Sequence, residues 1–350
     1  MKYWNSTLKN MDEYIPGEQP PDIEEYIKLN TNENPFPPSK LALDAIQKAA
    51  SDSLRRYPEA TADTLRLVFA RQNNIEKENV FIGNGSDEVF TLIFRGFIEK
   101  TGCAAFAYPS YSLYDTLAQA NAVPFEKIDL NKDFSYNLKA FLKKPYELVI
   151  IANPNNPTGT FCTPEEIRSF LDKYKGLLVV DEAYIDFYGG SVIELVNDYD
   201  NLIVTRSFSK SYSLAGLRVG LAIANPEIIR GFMKIKDSYN VDMLAIAGAA
   251  GALEDKKTFD YNVRMLCSNK EYLESRLEGF GFEIIPSRAN FLFVKHPDFE
   301  AAKIYNAMKE EKILLRHFKG RWQSDYIRIT VGTMMEVKKL CKALETFIET

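Results

Sequence analysis

The feature that most limits what this chain can fold into is a series of short apolar runs between about residues 79 and 224. They occupy 80–82, 104–107, 148–151, 177–180, 202–204 and 219–223. None alternates cleanly between polar and apolar, which is the pattern of strands buried on both faces of a largely parallel sheet. Helical patterns lie between most of them. The clearest is 163–174, where Thr163 and Glu166 have capping-box spacing, Pro164 takes the first helical position and Gly176 stands just past the end. This alternation predicts an α/β fold, with a mostly parallel mixed sheet between helices and ligands at the carboxyl ends of its strands.

The flanks differ in character. The first 38 residues are irregular and end in Pro35-Phe36-Pro37-Pro38, so they read as an arm lying on another surface. Ser39 then opens a helical pattern with Leu41, Ala45, Ile46 and Ala49 on one face. Beyond about 225, helices are expected at 226–237, 256–279 and 299–311, and strands at 282–285, 291–294, 313–315 and 327–331. A last helix begins at Thr333, with Glu336 completing a second capping box. The expected organisation is an arm (1–38) associated with a small α+β domain (251–350), around a large domain (39–250).

Composition removes several classes of function. The chain has 350 residues, and 46% hydrophobic content is enough for sizeable buried cores. Its net charge of −5 argues against a nucleic-acid or anionic-membrane binder. Only His296 and His317 are histidines, so a His-rich metal site is not expected. Cys103, Cys162, Cys267 and Cys341 form no CxxC pair, which suggests reduced core cysteines and a cytoplasmic home. No secretory signal and no apolar run of membrane-spanning length is visible.

Four strand ends carry polar clusters. Gly83-Asn84-Gly85-Ser86-Asp87-Glu88 lies between a strand and a helix, where glycines and a helix amino terminus favour an anion. Glu88 occupies the third glycine position, so the dinucleotide fingerprint fails; a tight turn capped by Ser86 is the plain structural alternative. Asn153-Pro154-Asn155-Asn156-Pro157-Thr158-Gly159 follows a buried strand, and its prolines fix the Asn amides. Asp181 ends an apolar strand, where a carboxylate is costly without a partner. In Ser207-Phe208-Ser209-Lys210-Ser211, with Arg218 eight residues after the lysine, an amine nucleophile stands among anion-binding groups. Each cluster alone has an ordinary reading as a turn, a strand-end cap or a solvated loop. Together they describe one ligand with a phosphate, a carbonyl for a lysine and a ring nitrogen needing an acid. Pyridoxal 5′-phosphate has all three.

At this point the chain resembles the fold-type I pyridoxal-phosphate aminotransferases, and among them the histidinol-phosphate aminotransferase family. The likeness rests on Asn30-Thr31-Asn32-Glu33-Asn34-Pro35, the Gly83 and Asn155 clusters, Asp181-Glu182-Ala183-Tyr184, the Ser207 and Lys210 segment with Arg218, and Ile327-Arg328-Ile329-Thr330. The resemblance implies that Lys210 is the Schiff-base lysine and proton carrier, and that Asp181 pairs with the ring nitrogen. It implies that Asn156 and Tyr184 bond the ring 3-oxygen, that Tyr111 stacks on the ring, and that Ser86, Asp87, Ser207, Ser209 and Arg218 surround the phosphate. Tyr57 would reach that phosphate across a homodimer interface, giving a shared active site. Arg328 would grip a substrate carboxylate and Arg316 a substrate phosphate, with Tyr14 and Asn32 also at the substrate. The implied reaction exchanges an amino group between glutamate and histidinol phosphate. An aminotransferase for aromatic or other amino acids, a threonine-phosphate decarboxylase, and a non-enzymatic ligand-binding module remain as alternatives. The loop 319–324 adds positive charge without an assigned role.

Overall fold

The computed structural model describes residues 2–11 and 17–349, and all counts below refer to these. The arm contains a short helix α1 (Ser6–Lys9) and a strand β1 (Ile27–Lys28). Next come α2 (Lys40–Ala49), α3 (Asp63–Gln72), β2 (Val80–Asn84), α4 (Gly85–Gly96), β3 (Ala104–Tyr108), α5 (Leu113–Ala120) and β4 (Phe125–Asp129). The chain continues through β5 (Leu148–Ala152), α6 (Pro164–Leu171), β6 (Leu177–Asp181), β7 (Leu202–Ser207), β8 (Val219–Ala224), α7 (Pro226–Ile235) and α8 (Met243–Glu254). It ends with α9 (Lys256–Gly279), β9 (Glu283–Ile285), β10 (Phe291–Lys295), α10 (Ala301–Glu310), β11 (Ile313–Leu314), β12 (Arg316–His317), β13 (Ile327–Thr330) and α11 (Met334–Glu349).

Seven strands form the large sheet in the order β2-β8-β7-β6-β5-β3-β4. Only β8 runs antiparallel to its neighbours; β7, β6, β5, β3 and β4 are mutually parallel. Successive residues of each strand enter different cores. Val149, Ile151, Leu178 and Val180 pack on one side, and Leu148, Ile150, Val179 and Ile203 on the other. That two-sided burial is why the apolar runs show no alternation. The parallel register aligns Ala152 of β5 with Asp181 of β6, and Asp181 with Thr205 of β7. The polar residues that end or follow these strands therefore reach one edge together.

The smaller sheet has the order β12-β13-β10-β9 and is antiparallel throughout. The arm joins this region through β1, which pairs in parallel with β11. Leu29 is buried in the same core as Leu292, Ile313 and Leu340.

Local expectations meet three differences. Helix α6 has the capping box, Thr163 Oγ1 accepting from Glu166 N and Glu166 from Thr163 N, but it ends at Leu171. Gly176 is not its cap. A Cβ there would lie 2.4 Å from the Tyr146 carbonyl oxygen, so close packing requires the glycine. On α2, Ala42 is the buried residue, while Leu41 is 45% exposed. Helix α8 has no sequence counterpart in the expectations, because its Ala- and Gly-rich surface is buried nearly all round and shows no periodicity. Gly248 and Gly251 let α2 approach it: added Cβ atoms would meet Ile46 Cγ1 at 2.8 Å and the Leu41 carbonyl oxygen at 2.6 Å.

No helix among the described residues is long and apolar enough to cross a membrane. The α6 cap gives a stability test. Thr163→Ala is expected to lower the urea midpoint by the equivalent of about 1 kcal/mol, with an unchanged slope.

Candidate active site

A cavity of about 800 Å³ opens at the carboxyl edge of the large sheet, between it and the smaller sheet. Its anion-binding end is built by α4 and β8. Asn84 is the N-cap of α4 but contributes no side-chain cap, and Ser86 lies inside the first turn rather than capping it. The first backbone N–H groups of α4 therefore have no helical acceptor, and they favour an anion. Two glycines are sterically required here. A Cβ on Gly220 would fall 2.2 Å from the Ser86 nitrogen, and one on Gly85, whose φ is +77°, would fall 2.7 Å from Arg218 Nη2. Arg218 donates to Asp87 Oδ2 at 2.9 Å and to Ser209 Oγ at 3.4 Å, and Ser209 N donates to Ser207 Oγ at 3.2 Å. Glu88, which stands where a dinucleotide fingerprint has glycine, instead accepts from Asn84 N and Asn240 Nδ2.

Asp181 is buried at the end of β6. Its Oδ2 accepts from Tyr114 Oη at 2.6 Å, and its Oδ1 accepts from Ala183 N at 3.1 Å and Thr205 Oγ1 at 3.2 Å. Burial pushes its carboxyl above the usual carboxylate range, while these donors oppose the rise. Its neighbour Glu182 points away, to Arg206 Nε at 2.7 Å. Arg206 also binds Asp186 Oδ1 at 2.9 Å, and Asp186 accepts from Ser211, beside Lys210. This buried network joins the Asp181 strand end to the Lys210 segment.

The three loop asparagines divide their work. Asn153 exchanges hydrogen bonds with Cys162 backbone atoms at 2.7 and 3.0 Å. Asn155 donates to the Pro109 carbonyl at 3.0 Å and accepts from Ser110 at 2.8 Å. Both brace the loop, while Asn156 lines the cavity and accepts from Arg328 Nη1 at 2.5 Å. Arg328 Nη2 donates to the Asn30 carbonyl at 2.6 Å.

Lys210 donates through Nζ to the Thr31 carbonyl at 3.1 Å. Burial, and then the charge of Arg328, pull its pKa down to about 8, with Glu33 opposing. A neutral, nucleophilic amine is thus accessible near neutral pH.

Of the residues picked from sequence, Ser86, Asp87, Tyr111, Asn156, Asp181, Tyr184, Ser207, Ser209, Lys210, Arg218, Arg316, Arg328 and Asn32 all line this cavity. Asn32 is 1% exposed and donates to Tyr184 Oη at 2.9 Å while accepting from Thr330 Oγ1 at 3.0 Å, so it braces Tyr184. Tyr57 does not line the cavity; it is 77% exposed and stacks on Tyr239 at 4.4 Å. Tyr14 lies outside the described residues. Tyr114, Thr205 and the Thr31 carbonyl were not picked. For Tyr114 the sequence signal is its place three residues after Tyr111, in the first turn of α5. The residues present fit pyridoxal 5′-phosphate: a glycine-lined anion cradle, a lowered lysine and a buried carboxylate face one cavity. Among the described residues no group of three His, Cys, Asp or Glu side chains is placed to hold a metal.

The family model for aminotransferase class I and II matches residues 24–344. A histidinol-phosphate aminotransferase of Pseudomonas putida (strain W619) is 41% identical over 347 residues, spanning 98% of this chain and 99% of that one. One from Clostridium acetobutylicum is 39% identical, spanning 99% of each. In fold, the crystal structure of the Sinorhizobium meliloti histidinol-phosphate aminotransferase in complex with pyridoxal-5′-phosphate aligns with a TM-score of 0.90 at 24% identity, covering 100% of this chain and 98% of that one.

The lowered lysine is directly testable. In cofactor-free protein, acylation of Lys210 by acetic anhydride, read by peptide mapping, should rise through pH about 8. Ordinary surface lysines rise only near ~10.4. Removing the Arg328 charge with Arg328→Leu should move the Lys210 profile to higher pH.

Proposed function

The chain belongs to the class I and II aminotransferase family, and on that premise we propose that it exchanges an amino group between glutamate/2-oxoglutarate and histidinol phosphate/imidazole acetol phosphate. This is a step of histidine biosynthesis, with pyridoxal 5′-phosphate as the cofactor. The near full-length likeness to histidinol-phosphate aminotransferases supports the substrate pair.

One observation in the structure carries the reading. Arg316 of β12 and Arg328 of β13 are direct partners across an antiparallel pair, and both line the cavity. Like charges placed opposite one another are destabilising. An anion between them reverses the sign of that interaction. Glutamate brings an α-carboxylate, suited to Arg328, and histidinol phosphate brings a phosphate, suited to Arg316; planar guanidinium groups bind both through paired N–H donors.

When bound, pyridoxal 5′-phosphate supplies a carbonyl that takes up amino groups and a ring that draws electrons from the substrate α-carbon. Ser86, Ser207, Ser209, Arg218 and the first turn of α4 would hold its phosphate. Asp181 would pair with its ring nitrogen, and Tyr111 would stack on its ring. Tyr184, braced by the Asn32 amide, and Asn156 would bond its ring 3-oxygen. Lys210 Nζ, with its lowered pKa, carries the proton at the substrate α-carbon. Neither histidine is required for that transfer.

The reading includes a homodimer of cytoplasmic location. Tyr57 and Tyr239 stack on each other at the exposed surface of one chain. In a homodimer each chain's Tyr57 would reach the cofactor phosphate of the other, and the exposed stack would be covered.

Lys210→Ala should abolish turnover with the circular dichroism spectrum retained; unchanged activity would reject the assignment. In single half-reactions, glutamate and histidinol phosphate should each convert the cofactor's visible absorbance rapidly, and phenylalanine slowly. Carbon dioxide release from phosphothreonine would instead indicate a decarboxylase.

A further inference from the structure

We propose that Tyr114 is a positioning residue: its hydroxyl, donated to Oδ2 of Asp181, keeps the proton of the Asp181–ring-nitrogen pair on the ring. The inference rests on the cofactor reading above, in which Asp181 faces that nitrogen.

The argument begins with acceptor sites. Each carboxylate oxygen has about two. Oδ1 of Asp181 has both filled, by Ala183 N and Thr205 Oγ1. Oδ2 has one filled, by Tyr114 Oη at 2.6 Å. The site left for a cavity ligand is therefore on the oxygen that Tyr114 already holds, and whatever Tyr114 does to the charge on that oxygen is felt by the ligand.

A proton shared between a carboxylate and a pyridine nitrogen lies on the stronger base. Burial makes Asp181 a stronger base, and the charge of Asp87 adds to this. The Tyr114 bond is the largest effect in the opposite direction, ahead of those from Ala183 N and Thr205. These four groups come from α4, α5, β7 and the residue after Glu182. Tyr114 is a dependable donor because burial holds its own proton far above the usual phenol range. Its ring is fully buried and fixed by packing: edge-on to Tyr111 at 5.6 Å and 83°, and tilted against Phe90 at 5.0 Å and Phe106 at 5.9 Å. Without the hydroxyl, the proton moves toward Asp181, the ring loses positive charge, and its pull on electrons from the α-carbon weakens.

The test uses holoenzyme loaded with pyridoxal phosphate labelled with 15N in the ring, in the wild type, Tyr114→Phe and Asp181→Asn. With Tyr114→Phe, the 15N shift is expected to move toward the neutral-pyridine value. kcat should fall at least about tenfold, while the KM for glutamate stays within about twofold, since substrate anions bind elsewhere. A merely structural hydroxyl would leave the 15N shift in place. If Tyr114→Phe keeps the wild-type shift and Asp181→Asn loses it, this inference is overturned and the cofactor reading stands. If Asp181→Asn also keeps it, the pairing of Asp181 with the ring fails, and both fall. Should Tyr114→Phe not fold, 3-fluorotyrosine at position 114 is the second variant, a stronger donor of nearly the same shape. It should hold the shift at the protonated value, and a shift toward neutral pyridine would overturn the inference.

Discussion

Mutual repulsion among cations is the constraint around which the site is organised. Lys210, Arg218, Arg316 and Arg328 line one cavity in a chain whose net charge is −5. Burial first, and then the charges of Arg328 and Arg218, pull the pKa of Lys210 down. Arg218 is paired with Asp87, whereas Arg328 and Lys210 are bonded to neutral acceptors. Arg328 reaches the side-chain oxygen of Asn156 and the backbone carbonyl of Asn30, and Lys210 the carbonyl of Thr31. Such bonds fix direction without cancelling charge, so the attraction for an anionic ligand survives.

Much of this was legible in the sequence, for a physical reason. A strand buried on both faces must be apolar throughout, so a polar residue at its end stands out, as Asp181 does after Val180. The chain is also obliged to place loops at strand ends, which put Ser86, Asn156 and Lys210 on one edge. What was not legible depended on packing between distant segments. Helix α8 is apolar all round and carries no period to read. Gly176 looked like a helix stop, and its role is set instead by the Tyr146 carbonyl nearby. Leu41 was assigned inward by spacing, yet the glycines of α8 draw the smaller Ala42 inward instead. Tyr114 could be placed on a helix, but nothing local to it points to Asp181, 67 residues away.

The asparagines show the same division at finer scale. The sequence marks a run of three within one proline-rich loop, and all look alike there. The fold gives two of them to the loop's own rigidity and turns the third to the cavity. Residue type therefore located the site, while long-range contacts assigned the individual roles.

The arm is tied to strands far along the chain. Asn32 is bonded to Thr330, 298 positions later, and β1 pairs with β11. During synthesis the arm emerges well before these partners and must wait, with Leu29 uncovered, until they have followed. Closing so long a loop carries a large entropic cost before any contact repays it. The carbonyl that holds Lys210 belongs to this arm. Completion of the amine site thus waits on β11 and β13, and a nascent chain that lacks them carries no finished lysine pocket.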